Sequence, residues 1–261
     1  MSTRRRLASW LLVAAAAIVA PAHAQNALDT IEKSKTIRIA VPADAPPFGF
    51  KGADGQLHGL DVDMANLVAG KLGAKAQLVA VASAERIPAL LQDKVDLVIS
   101  TLGKNPEREK QIDFARDYSS FYLAVFGPKS LAIAGPTDMA GKSVAVTRGS
   151  IEDQELAKVA PPGTTVQRFD DMAGALAAYA SGKTQLLACG ISVVAAAIQT
   201  NQALEADAKF VLKDSRNFIG VRKGEDALRN RVDRIVDEAR ASGELLALGR
   251  KWFSRTGLAQ R

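Results

Sequence analysis

The sequence predicts an α/β protein built as two lobes, and three observations carry that expectation. A chain of 261 residues, 48% hydrophobic and 24% charged, has enough apolar material to bury a core. Strand-like and helix-like segments alternate along almost its whole length, the pattern of βαβ units on a parallel sheet. The alternation also runs on for longer than one small domain needs.

The first segment stands outside that pattern. Arg4, Arg5 and Arg6 precede an apolar run over 7–20, and Ala22-His23-Ala24 then offers a small-residue cleavage pattern before Gln25. This reads as a secretory signal peptide over 1–24, cut after Ala24, because the run is shorter than the ~20 apolar residues that a spanning helix needs. The expected destination is the bacterial periplasm. The whole chain carries 34 Lys+Arg against 28 Asp+Glu, and losing the three leader arginines leaves 31 against 28. So small and scattered an excess argues against nucleic acid as a partner.

The elements then follow in order. Residues 36–41 alternate as a strand, broken by Pro46 and Pro47. Leu60, Val62, Ala65, Val68 and Leu72 fall at helical spacing, with Asp61 and Asp63 in the first turn, where carboxylates suit the positive end of the helix dipole. A strand over 77–81, a helix over 85–92 and an apolar strand over 95–100 complete the first βαβ series. Strands at 122–126, 143–147, 164–169 and 184–188 alternate with helices after Ser150, over 171–180 and over 191–199. Short strands at 209–212 and 218–221 precede helices at 226–241 and 243–253. If those last helices return to the first lobe, the chain crosses twice, near 118–121 and 217–219. The expected division is 25–119 and 218–261 for one lobe and 120–217 for the other, with a ligand cleft between them.

Two loops carry candidate chemistry. In Ser100-Thr-Leu-Gly-Lys-Asn-Pro-Glu-Arg108, Asn105 suits an N-cap, Pro106 the first helical position, and Arg108 the first turn. An arginine there opposes the helix dipole unless an anion lies between them, so Thr101, the Gly103 amide and Arg108 form a candidate carboxylate clamp. A solvent-facing arginine on a surface helix is the plain alternative. In Thr147-Arg148-Gly149-Ser150, Ser150 caps a helix, and its free amides face the same anion if the lobes close. A simple βα turn explains that loop equally well.

Catalytic signatures are mostly absent. The chain has no P-loop, no G-x-G-x-x-G after a strand and no G-x-S-x-G, and its two histidines and single cysteine do not assemble a zinc site. Cys189 ends an apolar strand and reads as a small buried hydrophobe, and His58 as a solvated residue. Asp61 and Asp63 read as helix-terminus carboxylates, in preference to metal ligands. Neither a cofactor nor a metal is expected.

At this point the chain as a whole resembles the family 3 bacterial extracellular solute-binding proteins, the periplasmic receptors of polar amino acid ABC transporters. The matching residues run from Ile39-Ala-Val-Pro and Pro46-Pro-Phe48 through Gly59-Leu-Asp-Val-Asp63, Arg86-Ile-Pro, Lys94-Val-Asp-Leu-Val-Ile-Ser100, Pro106-Glu-Arg108, Ile112-Asp-Phe and Gly149-Ser150 to Lys251-Trp252-Phe253. The resemblance implies a type II periplasmic binding protein fold, two α/β lobes on a two-stranded hinge closing around a ligand. It also implies an inner-membrane permease as partner, no enzymatic activity and a monomer. Arg108 is then expected to bind the ligand's α-carboxylate, assisted by Thr101, Gly103, Ser150 and Ile151. Asp44, Phe48, Arg86, Cys189 and Gly190 complete the expected cleft.

The chain also departs from the family pattern. Gly190 stands where an Asp usually receives the ligand's α-ammonium, and Ala45 and Ser83 stand where aromatics usually cover the ligand. The expected ligand is therefore a small carboxylate-bearing solute, an amino acid or an amino acid-like organic acid, with Asp44, Glu85 or Arg86 as substitute polar contacts. Two alternatives share the scaffold: an enzyme similar to cyclohexadienyl dehydratases, and a ligand sensor that engages a membrane receptor.

Overall fold

The computed structural model describes residues 26–254, so the expected leader and its cleavage after Ala24 lie outside the described residues. Helix α1 (Ala27–Ser34) precedes β1 (Thr36–Val41), and a small sheet of β2 (Asp44–Ala45), β3 (Gly49–Lys51) and β4 (Leu57–His58) leads into α2 (Leu60–Lys71). Then come β5 (Lys75–Ala80), α3 (Arg86–Leu91), β6 (Leu97–Val98) and α4 (Pro106–Glu109). After β7 (Asp113–Gly127) the chain runs through β8 (Ser143–Thr147), α5 (Ile151–Val159), β9 (Thr165–Phe169), α6 (Met172–Ala180), β10 (Leu186–Gly190) and α7 (Ile191–Thr200). It returns along β11 (Asp207–Val221) and ends in α8 (Asp226–Ala241) and α9 (Glu244–Phe253).

The strands lie in the order β5-β1-β6-β11-β7-β10-β8-β9. At one end β1 pairs in parallel with β5 and β6, and at the other β8 pairs in parallel with β9 and β10. These are the two α/β lobes. Between them β7 and β11 form an antiparallel ribbon from Val221 opposite Asp113 to Asp207 opposite Gly127. Fifteen residues of strand reach about 50 Å, enough to serve both lobes.

That ribbon corrects the expectation of short strands at 122–126, 209–212 and 218–221. Its middle is polar, with Asp117, Ser119 and Ser120 on one strand and Lys213, Asp214, Ser215, Arg216 and Asn217 on the other, so hydrophobic periodicity finds only the apolar ends. The pairing is irregular on both sides of Phe218, which breaks the ladder where the ribbon leaves the first lobe. The strand expected over 95–100 pairs formally only at Leu97–Val98, although Asp96 N–H to Arg38 O (2.8 Å) and Ile99 N–H to Ala40 O (2.9 Å) extend its attachment to β1.

One core of the first lobe packs Ile37, Ile39, Val68 and Leu97 against Leu228, Val232 and Ile235 of α8, so the C-terminal helices do return to it. In the second lobe Val144, Val146, Leu156, Leu186 and Ala188 form their own cluster. A further cluster joins Phe48, Leu60 and Phe253 to Phe121, Leu123, Ile151 and Val193, so apolar packing continues from one lobe to the other.

Candidate functional site

The loops that follow β1, β6 and β8 converge between the lobes, as the carboxyl ends of strands do at ligand sites in α/β sheets. Asn105 Oδ1 accepts the Arg108 amide (2.9 Å) at the start of α4, and Ser150 Oγ accepts the Asp153 amide (3.1 Å) at the start of α5. Both expected caps are present, and they aim two short loops at one another across the cleft.

Arg108 joins the lobes. Its guanidinium donates from Nη1 to Gly103 O (2.6 Å) and from Nη2 to Gly149 O (3.0 Å), one carbonyl from each side. Burial, followed by the charge of Arg86, pulls its pKa down to about 10. Two glycines make the approach possible. A Cβ on Gly103 would stand 3.1 Å from Ile151 Cγ1, and one on Gly149, whose φ is +68°, would stand 3.0 Å from Ala84 Cα.

Beside this contact lies a cavity lined by Asp44, Ala45, Ser83, Arg86 and Thr101 from the first lobe and Ser150, Glu152, Met172 and Val193 from the second, with Phe121 of the ribbon at its side. It leaves about 10 Å³ for the centre of a water molecule, too little in this conformation for a solute of amino acid size.

Arg86 is 5% exposed. Its Nη1 reaches Thr101 O at a long 3.5 Å, and its Nε has no hydrogen-bond partner. Burial lowers its pKa, opposed by the charges of Glu152, Asp61 and Asp44. Glu152, 3% exposed in the first turn of α5, is its counterpart from the other lobe. Burial raises the Glu152 pKa against the pull of its own amide, the Ser150 side chain and the charges of Arg86 and Arg108.

Asp61 and Asp63 stand in the first turn of α2, as the sequence reading has them, but neither caps the helix, whose N-cap is Gly59, and both side chains have partners farther off. Asp61 is fully buried, and accepts the Thr101 amide at Oδ2 (2.7 Å) and the Tyr118 hydroxyl at Oδ1 (2.8 Å). It thereby holds Thr101 at φ +40°, a backbone conformation costly for a β-branched residue. Burial raises the Asp61 pKa to about 7. Asp63 Oδ2 accepts Lys251 Nζ and Trp252 Nε1, both at 2.7 Å, and fastens α9 to α2.

Of the residues singled out from sequence, Asp44, Arg86, Thr101 and Ser150 meet at the cavity, while Arg108, Gly103 and Ile151 stand at the lobe contact beside it. Asp44 Oδ2 also accepts the Met172 amide (2.5 Å) at the start of α6. Phe48 is fully buried in the apolar cluster, edge-on to Phe121 and Phe253. Cys189 is buried with its thiol on Met172 Sδ (3.4 Å), and Gly190 lies under the Phe121 ring. Glu85 reaches back to the Ala82 amide and does not line the cavity. Sequence reasoning missed Phe121, Glu152, Met172 and Val193. A glutamate in the first turn of a helix reads as a dipole partner, and the ribbon's polar middle hid the position of Phe121.

Known proteins are similar to this chain in fold and sequence. The model of the bacterial extracellular solute-binding proteins, family 3, matches residues 37–255. The L-arginine-binding protein of Pseudomonas aeruginosa is 30% identical over 242 residues, covering 87% of this chain and 91% of its own. The ABC transporter glutamine-binding protein GlnH of Bacillus subtilis is 25% identical over 234 residues, covering 88% and 85%. Among solved structures, a variant of ArgBP from T. maritima superimposes with a TM-score of 0.81 at 29% identity, covering 87% of this chain and 99% of its own.

Proposed function

Because the chain belongs to the bacterial extracellular solute-binding proteins, family 3, we propose that it captures a small carboxylate-bearing solute between its lobes and delivers it to an ABC permease of the inner membrane. In this reading it acts without catalysis, as a monomer in the periplasm, after removal of 1–24. The observation that carries it is the Arg86–Arg108 pair of buried guanidiniums at the meeting of the lobes, one with a free Nε and the other bonded to a carbonyl on each side. A planar guanidinium donates two parallel N–H bonds to a carboxylate, and a solute held from both sides favours the closed form. The relatives named for arginine and glutamine support an amino acid as ligand.

We further place the lobe divisions at 119/120 and 217/218, supported by the pairing of Asn217 with Ser119 next to the irregular ladder at Phe218. A thermal-shift screen of the purified protein tests the function, using the common L-amino acids and their deaminated acids. Ligands that bind only the folded form raise the melting temperature by mass action. At least one carboxylate is expected to do so, and Arg108→Ala to remove the shift. No shift from any carboxylate overturns the reading.

A further inference from the structure

The position that usually carries the acid for a ligand's ammonium is Gly190, and the structure leaves it no room for a side chain: a Cβ there would stand 2.3 Å from Cε2 and 2.5 Å from Cζ of the buried Phe121 ring. A carboxylate from another element nevertheless lines the cavity beside the same Phe121 ring. Glu152, in the first turn of α5, lines the cavity together with Arg86.

We propose that Glu152 recognises the ammonium group of the ligand while Arg86 faces it from the other lobe and takes the carboxylate, so that the ligand class is the α-amino acid and not its deaminated acid. This rests on the binding-protein reading above. The pole assignment follows from what each group lacks. Arg86 is a buried guanidinium with an unpartnered Nε, and Glu152 is a buried carboxyl group with no ion pair within 4.0 Å among the described residues. Burial disfavours the charged form of each group, their mutual attraction acts without direct contact, and the two poles of one zwitterion between them would supply both with a hydrogen-bonded partner. Asp44 is the weaker candidate for the ammonium, since its Oδ2 is already committed to the Met172 amide and the residue is only half-buried. A deaminated acid relieves Arg86 alone and leaves Glu152 uncompensated beside a second carboxylate.

The test is a titration of wild type, Glu152→Gln and Glu152→Asp with the L-amino acid that gives the largest thermal shift and with the acid lacking only its α-amino group. Wild type is expected to prefer the amino acid by at least tenfold, about 1.4 kcal/mol. Glu152→Gln keeps the shape but not the charge, and is expected to bring that preference within about threefold of unity. Glu152→Asp, which draws the charge back by one methylene, is expected to lose at least half of the wild-type discrimination on a logarithmic scale, and it serves if Glu152→Gln does not fold. Undiminished preference in either folded variant, or a wild type that prefers the deaminated acid, overturns this assignment while leaving the binding-protein reading intact. Only failure of every carboxylate to bind wild type removes both.

Discussion

The Phe121 ring lies over Gly190 so closely that any Cβ on residue 190 would fall 2.3 Å from the ring. Glycine here is a packing requirement of the Phe121 contact. Gly190→Asp is therefore expected to destabilise the protein by about 1–3 kcal/mol, the usual range for overpacking, and to weaken ligand binding. Combined with Phe121→Ala, it is expected to cost less than the sum of the two single losses, because the truncated ring no longer meets the new side chain. Chemical denaturation of the two single variants and the double variant measures it, and strictly additive losses would show that the ring is not the obstacle.

Arg108 bonds Gly103 O and Gly149 O at once. Arg108→Ala is expected to weaken ligand binding by at least tenfold with an unchanged far-ultraviolet circular dichroism spectrum. Arg108→Lys is expected to recover little of it, because a point charge does not span two carbonyls as a fork does. Calorimetric titration of both variants checks this, and wild-type affinity in Arg108→Lys would contradict it.

Asp61 gives the fold a pH dependence of definite sign. Its carboxyl titrates near 7 in the folded protein and near 4 in an unfolded chain, so the protonated form is favoured by folding. That contribution is complete below about pH 4 and is lost as the pH rises through 7. Asp61→Asn lacks it, so the stability of wild type relative to this variant is expected to fall between pH 5 and pH 7.5. Parallel pH profiles in denaturant titrations would contradict the shift.

Asp63→Ala removes the acceptor of Trp252 Nε1 and Lys251 Nζ. The exposed lysine contributes little, but the partly buried indole N–H loses its acceptor, at a cost of about 1–3 kcal/mol. Amide exchange should speed up selectively in α9, and unchanged exchange there would refute the fastening role.

Much of this was legible from the chain. The caps at Asn105 and Ser150 are local rules, read within a few residues, and the βαβ alternation follows from hydrophobic periodicity. Asp61 was read correctly to its place in the first turn, but its partners were not, for the same reason that the caps were read well. A carboxylate in a first turn satisfies a local rule, whereas its actual partners, the Thr101 amide and the Tyr118 hydroxyl, lie 40 and 57 residues away. Glu152 was overlooked because nothing within its own helix distinguishes a cleft-facing glutamate from a solvated one. The ribbon was broken into pieces because its polar middle is held by strand pairing between distant segments, which sequence periodicity does not record.

The central claim is that a ligand is held between lobes that close on it. Small-angle X-ray scattering of the purified protein, with and without a saturating amount of the amino acid that stabilises it most, tests this directly. The expected result is a smaller radius of gyration with ligand in wild type and no such change in Arg108→Ala. An unchanged radius in wild type at saturation would contradict capture by closure.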